Sequence, residues 1–474
     1  MTTKKPGELA KTDDQSPVLD RIARLDEAVA QYNRALALDP DFVEAHTNLG
    51  LVAFNRGRFD ESEVSFQTAL GIDHEDTEAL LGLGAALMRL NKLEEAEVCY
   101  ERLLMLKPDL AEAHYGVGKI LEQRGDTAAA GAAFYRAIAR NPDYADAHLA
   151  LGTVRLMTGD FRRGWPELNW PGPKTDTIHG LSSAPLWDGG DLNGQVIVLQ
   201  VNQGAGDSIQ FVRYAPMVAA RGGRVIVACH PWLTRLFEGV AGIERRTGAR
   251  EIPPDVAFRA PLSKLPEIFA TTAETIPTEV PYLRADPTVA AAWRSRLATL
   301  PGLKVGIAWR GNPKHGNDRN RSATPAIFSR FLDLPGLSVV CLQKDARPDE
   351  LAALGVDVLD EGPGLNDFSD TAAVIANLNL VIAVDTSVVH LAGALGATVW
   401  ALLAFVPDWR WMLDRDDSPW YPSLRLFRQP RPGDWPAVAD LVRVELARRA
   451  GSQAAADHAQ LGSRAELRRL GASV

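Results

Sequence analysis

Residues 196–216, VIVLQVNQGAGDSIQFVRYAP, decide the fold of most of this chain. They pass from a strand of continuous apolar character (Val196–Val201) through a glycine-spaced turn into a helical pattern. A strand that is apolar at nearly every position is buried on both faces, as in a parallel sheet covered by helices. Gly204 and Gly206 permit the tight turn, and no Gly-Lys-Ser/Thr follows, so this is not a Walker loop. Asp207 stands at the helix start, flanked by Gln203 and Gln210. It reads either as an N-cap for orphan backbone donors or as a general base for an acceptor hydroxyl.

Towards the C-terminus the same rhythm repeats. Apolar runs at Val225–Cys229, Val305–Trp309, Ser338–Leu342, Leu380–Val384 and Thr398–Leu403 alternate with helical patterns such as Ile209–Ala220 and Asp370–Leu378. Two series, split near Pro287–Leu300, predict an α/β body of two Rossmann-like lobes, 194–286 and 287–450. Ligands of such sheets bind beyond the carboxyl ends of the strands, so the residues there are the candidates. Trp309 leads into a polar loop with four cations, Arg310, Lys314, Arg319 and Arg321, together with Asn312 and Ser322. That loop suits an anion, or it is a solvated loop paired internally with Asp318. Gln343 and Lys344 follow the next strand. Asp385, Thr386 and Ser387 follow another, with His390 one turn on, and they read as an anion and hydroxyl pocket or as a capping cluster with a satisfied histidine. Further on, Asp408, Trp409, Trp411 and Trp420 mix aromatic faces with charge, which suits a sugar or base, or packing between domains. Asp414-Arg415-Asp416 has metal-binding spacing only of an accidental kind, and no metal is expected.

Towards the N-terminus the period changes. Pro108 and Pro142 lie 34 residues apart, and Pro40 stands twice that distance before Pro108, with His74 in the intervening position. Leu49-Gly50, Leu83-Gly84, Val117-Gly118 and Leu151-Gly152 recur in phase, as do Tyr32, Phe66, Tyr100 and Phe134 with their small neighbours. This is the tetratricopeptide period, an α-solenoid of helical hairpins over 21–170 that ends in a degenerate unit, GDFRRGWPELNW. Its groove binds a protein partner or acceptor, or the array is a spacer or assembly element. Residues 1–20 read as disordered, 171–193 as a linker rich in Pro, Gly and Ser, and 451–474 as a charged, alanine-rich tail.

A net charge of −9 argues against nucleic acid and anionic lipid as partners. Cys99, Cys229 and Cys341 lie far apart with no zinc-site spacing, and reduced thiols suit a cytoplasmic protein. The polar N-terminal residues hold no stretch of the kind a signal peptide needs. The apolar segment Leu391–Val406 is short, is cut by glycines, and predicts a buried helix followed by a strand rather than a membrane span.

Taken together, QGAGDSIQFVRYAP, GIAWRGNP with DRNRS, VDTSVVHLAGALG and PDWRWMLDRDDSPWYP resemble glycosyltransferase family nine, the heptosyltransferase-like family, over roughly Trp187–Arg449. The closest likeness is to its bacterial members with N-terminal tetratricopeptide repeats. The resemblance implies a GT-B arrangement, an acceptor lobe first and a nucleotide-sugar lobe second, and no required metal or cofactor. It implies Asp207 as the base, Arg321 near the donor phosphates, and Asp385, Thr386 and His390 around phosphates and ribose. The acceptor is a glycan, lipid or protein hydroxyl. Asn202 stands where such relatives commonly carry glutamate, and Arg321 where heptosyltransferases have lysine nearby. The alternative is a non-catalytic repeat scaffold with a degenerate GT-B body.

Overall fold

The computed structural model describes residues 16–170, 181, 184–201, 203–248 and 251–469. Asn202, residues 1–15 of the expected N-terminal tail and most of the expected linker lie outside the described residues. The chain divides into two compact units, Met1–Ala147 and His148–Val474.

The first unit is a stack of antiparallel helices. After Ser16–Leu38 come the pairs Val43–Asn55 with Phe59–Ile72, Thr77–Arg89 with Leu93–Leu106, and Ala111–Gln123 with Thr127–Arg140. Residues 16–20, read from the sequence as part of a disordered tail, belong to the first helix. The glycines explain the pairing. A Cβ on Gly50 or Gly82 would lie 2.7 or 2.3 Å from the Phe66 ring, and one on Gly84 or Gly116 would lie 2.8 or 2.4 Å from Tyr100. Each ring therefore enters a slot made by two missing side chains on successive first helices. Gly118 makes the same approach to Phe134. The boundary prolines are bound in as well: the His46 and His114 rings meet the Pro40 and Pro108 carbonyls at 2.9 Å. Where His74 replaces proline, Leu80 replaces the histidine.

The second unit holds two parallel sheets. The first comprises β1 (Val196–Gln200), β2 (Arg224–Ala228), β3 (Ile243–Thr247) and β4 (Val256–Pro261), in the order β3-β2-β1-β4. The second comprises β5 (Leu303–Ala308), β6 (Leu337–Cys341), β7 (Val358–Asp360), β8 (Leu380–Val384), β9 (Val399–Leu403) and β10 (Leu424–Arg428), in the order β10-β9-β8-β5-β6-β7. Numbered within its lobe, that is the 3-2-1-4-5-6 order of a dinucleotide fold. The strand order reverses between β1 and β4 in one lobe and between β5 and β8 in the other, and ligand crevices open at such points. Every residue of β1, β8 and β9 is buried.

The last degenerate repeat belongs to this unit. The helix Phe161–Leu168 inserts Phe161 and Trp165 into the core shared by both lobes. Trp165 Nε1 donates to the Thr271 carbonyl at 2.8 Å. The stretch before β1 is also partly structured: Trp187 is buried, and Leu186 bridges in parallel to Arg259 of β4. The C-terminal helix runs from Trp435 to Arg469 and seats Val438, Val442 and Leu446 against the second sheet. No helix among the described residues is long and apolar enough to cross a membrane.

Candidate functional site

The turn after β1 delivers Asp207 as the third residue of the helix Ala205–Phe211. Gly204 is the N-cap residue, and the Asp207 side chain caps nothing; it pairs instead with Arg410 of the second lobe. The capping role is therefore corrected by the structure. Asp207 keeps 27% of its side chain exposed and lines a shallow hollow with Val201, Gln203, Ser208, Phe211, Leu262 and Ser263. Val201 and Gln203 follow β1, Leu262 and Ser263 follow β4, and Ser208 and Phe211 belong to the helix between, so the hollow lies at the reversal point of the first sheet.

Arg410 holds the centre of the site. It lies in the short turn Trp409–Trp411 and is 8% exposed. Its Nε donates to Gln210 Oε1, its Nη1 to Asp408 Oδ1 at 2.8 Å and its Nη2 to Asp207 Oδ1. The guanidinium lies 4.3 Å over the Trp409 ring. Burial works against its charge, but Asp408 and then Asp207 outweigh burial and hold it above its ordinary range. Gln210 is fully buried, and its Nε2 has no partner among the described residues.

From the second lobe, β8 brings Asp385, and Thr386 caps the helix Ser387–Ala394, accepting from Val388 N at 3.4 Å. Burial pushes the Asp385 carboxyl up to about 6; Asp408 adds to this, while Trp411, Arg321 and Arg410 oppose it. Arg321 donates to the Asp385 carbonyl at 3.2 Å and to Asp318 at 3.3 Å. It packs over Gly311, where a Cβ would lie 2.5 Å from its Nη2. Ser322 links Gly311 N to Asp318. Gly206 lets the first lobe reach this helix, since a Cβ there would lie 2.8 Å from the His390 ring. His390 itself is buried, bonded to Tyr421 Oη at 3.0 Å and stacked on Trp411. Burial, then Arg410, Arg213 and Arg321, keep it well below its ordinary range and neutral.

The structure disperses some of the predicted donor-side residues. Arg310 is taken up by Asp345 and Glu350, and Gln343 braces the same cluster, accepting from Arg310 N and donating to Asp345. Lys344 donates to the Asn366 carbonyl. Asn312 closes its own loop on Lys314 N, leaving the Lys314 side chain exposed.

The aromatic residues are a correction. Trp409, Trp411 and Trp420 are 4%, 0% and 0% exposed, so none offers a face to a sugar or base. Trp409 meets Trp165 at 5.2 Å and Trp420 at 5.9 Å, so these rings bind the final repeat helix to the lobes. Of that group Asp408 alone keeps a partly exposed polar group.

Sequence reading passed over two residues of the site. Arg410 was legible as an arginine between two tryptophans beside an aspartate, since a buried guanidinium requires carboxylates. His315 lies in the cationic loop. Desolvation and then Arg321 push it below its ordinary range, against Asp408, Asp318 and Asp207.

Profiles of the tetratricopeptide repeat match residues 24–57, 53–120 and 111–144. Protein FlbA of Caulobacter vibrioides is 30% identical over 311 residues, covering 58% of this chain. The chain spans about half, 52%, of that relative's length. Among solved structures, a tetratricopeptide-repeat protein of Thermus thermophilus is 21% identical, with a TM-score of 0.29, over 31% of this chain and 82% of its own. MamA of Desulfovibrio magneticus is 18% identical, with a TM-score of 0.27, over 30% of this chain and 85% of its own.

Proposed function

We propose that the α/β unit is a glycosyltransferase that moves a sugar from a nucleotide-sugar donor to a hydroxyl of a glycan, lipid or protein, while the repeats bind the acceptor or a protein partner. The observation that carries this reading is the contact between the turn after β1 and the second lobe, which has dinucleotide-fold strand order: Asp207 pairs with Arg410 after β9, and Gly206 packs against His390 on the helix after β8. The motif resemblance supports the same reading.

In this reaction the acceptor hydroxyl gives its proton to Asp207 as its oxygen attacks the anomeric carbon. The bond from that carbon to the diphosphate breaks, and its electron pair leaves with the nucleoside diphosphate. Arg321, the exposed Lys314 and the amides at the start of Ser387–Ala394 would offset the charge that gathers there, without a metal or cofactor. The hollow beside Asp207 encloses almost no free volume, so a whole donor requires the lobes to part and close again.

The test is calorimetry of the purified chain against ADP-, GDP-, UDP- and CMP-sugars, followed by transfer assays. One donor should bind saturably and lose affinity in Arg321→Ala. Asp207→Asn should keep donor binding and lose roughly 10²- to 10⁴-fold in turnover. The lack of enclosed space beside Asp207 also favours a second reading, a repeat scaffold whose GT-B body no longer takes a donor. Failure of all four donors to bind would select it.

A further inference from the structure

We infer that Arg410 is the positioning residue of the proposed transfer: it crosses from the second lobe, fixes one carboxylate oxygen of Asp207 and leaves the other to accept the proton. This inference rests on the glycosyltransferase reading.

Three features carry it. First, each guanidinium nitrogen has a different partner: Nε meets Gln210, Nη1 meets Asp408 and Nη2 meets Asp207. With Trp409 beneath it and Phe211 5.7 Å away, the group is held as a rigid fork rather than a mobile charge. Second, two of those partners, Asp207 and Gln210, lie three residues apart on one helix, so one guanidinium sets the rotation of that helix and the direction of the carboxylate. Third, the bond to Arg410 uses Asp207 Oδ1, whereas Oδ2 lies towards Gly204, where a Cβ would be 3.4 Å away, on the turn beside the hollow that Asp207 lines. Oδ2 is therefore the oxygen that takes the acceptor's proton, and Arg410 exchanges none.

Because the two residues belong to opposite lobes, the base is assembled only when the lobes meet. An arginine that bound the donor phosphates instead would have to give up one of its present partners. The two roles make different predictions, since a phosphate ligand acts on donor affinity and a positioning residue acts on turnover.

The experiment compares wild type, Arg410→Gln, Asp207→Asn and the double variant, in turnover and in calorimetric donor affinity. Arg410→Gln should lose about 100-fold in kcat, with donor Kd changed less than about 2-fold. The double variant should be no slower than Asp207→Asn alone, because the arginine works through the aspartate. Added guanidinium ion should restore part of the lost rate. Gln210→Leu, which removes the Nε acceptor without changing a charge, gives a second readout if Arg410→Gln does not fold, with about a 10-fold loss in kcat. Wild-type kcat in both variants would overturn the inference, as would losses that multiply in the double variant, or a fall in donor affinity equal to the fall in rate. A wild-type chain that transfers from none of the donors would instead remove the glycosyltransferase reading, and the role of Arg410 with it.

Discussion

In the repeats, Phe66 and Tyr100 each lie between two glycines; in the α/β unit, Trp165, Trp409 and Trp420 lie against one another. Both arrangements bury large rings, but by opposite routes. The repeat makes room by deleting side chains from its neighbours, and it does so again 34 residues later. The tryptophan hub has no repeat: it joins residues 165, 409 and 420, and its rim carries the arginine that reaches Asp207. A repeated solution can be read from one dimension. A solution made once, from distant segments, cannot.

The strongest way to break the comparison is to remove the hub's keystone. Trp165→Ala should cost roughly 3–5 kcal/mol in chemical denaturation, since it empties a ring-sized volume and orphans the Thr271 carbonyl. Transfer should fall with it, because Trp409 underlies Arg410. A loss below about 1 kcal/mol would mean that the rings do not interlock.

A change of pH tests the polar rim. The folded Asp385 carboxyl sits at about 6, above its ordinary value of 3.8, so the fold favours its protonated form. Wild type should therefore lose stability relative to Asp385→Asn as pH rises from about 4 to about 6, by up to ~3 kcal/mol, and the gap should stay constant above that. Denaturation midpoints at pH 4, 5, 6 and 7 measure it. A gap that does not change with pH would mean that solvent reaches this carboxylate freely.

The repeats should respond more mildly and locally. Gly116→Val places a branched side chain where even a Cβ lies 2.4 Å from the Tyr100 ring, and should cost about 1–3 kcal/mol. Hydrogen exchange should rise across Thr77–Arg140, while turnover at low temperature keeps its wild-type value. Loss of turnover would show that the two units are energetically tied.

How legible the molecule was in its sequence follows the same division. The central strands β8 and β9 are apolar throughout, β1 is apolar at every position but Gln200, and their limits are visible within one or two residues. The edge strands β3, IERRT, and β10, LRLFR, were invisible to that criterion, because an edge keeps one side or one face in water and so carries arginine and glutamate. Asp207, Asp385 and Thr386 could be located because each follows an obvious strand. Arg410 could be read as a buried cation from its tryptophan and aspartate neighbours, but not as a partner of Asp207 and Gln210, about 200 residues away. The tryptophans were misplaced for a related reason. An aromatic residue among charges looks the same in a sequence whether the charges face water or, like Asp408 and Arg410, face one another.

The glycine slots also limit how this chain can change in length. Phe66, Tyr100 and Phe134 are spaced by 34 residues, and so are Gly50, Gly84 and Gly118. Excising one whole period brings another ring to an equivalent slot, whereas excising any other number sets a ring against a helix that still has its side chains. The first unit can therefore grow or shrink only in whole steps, like a ruler with a single graduation.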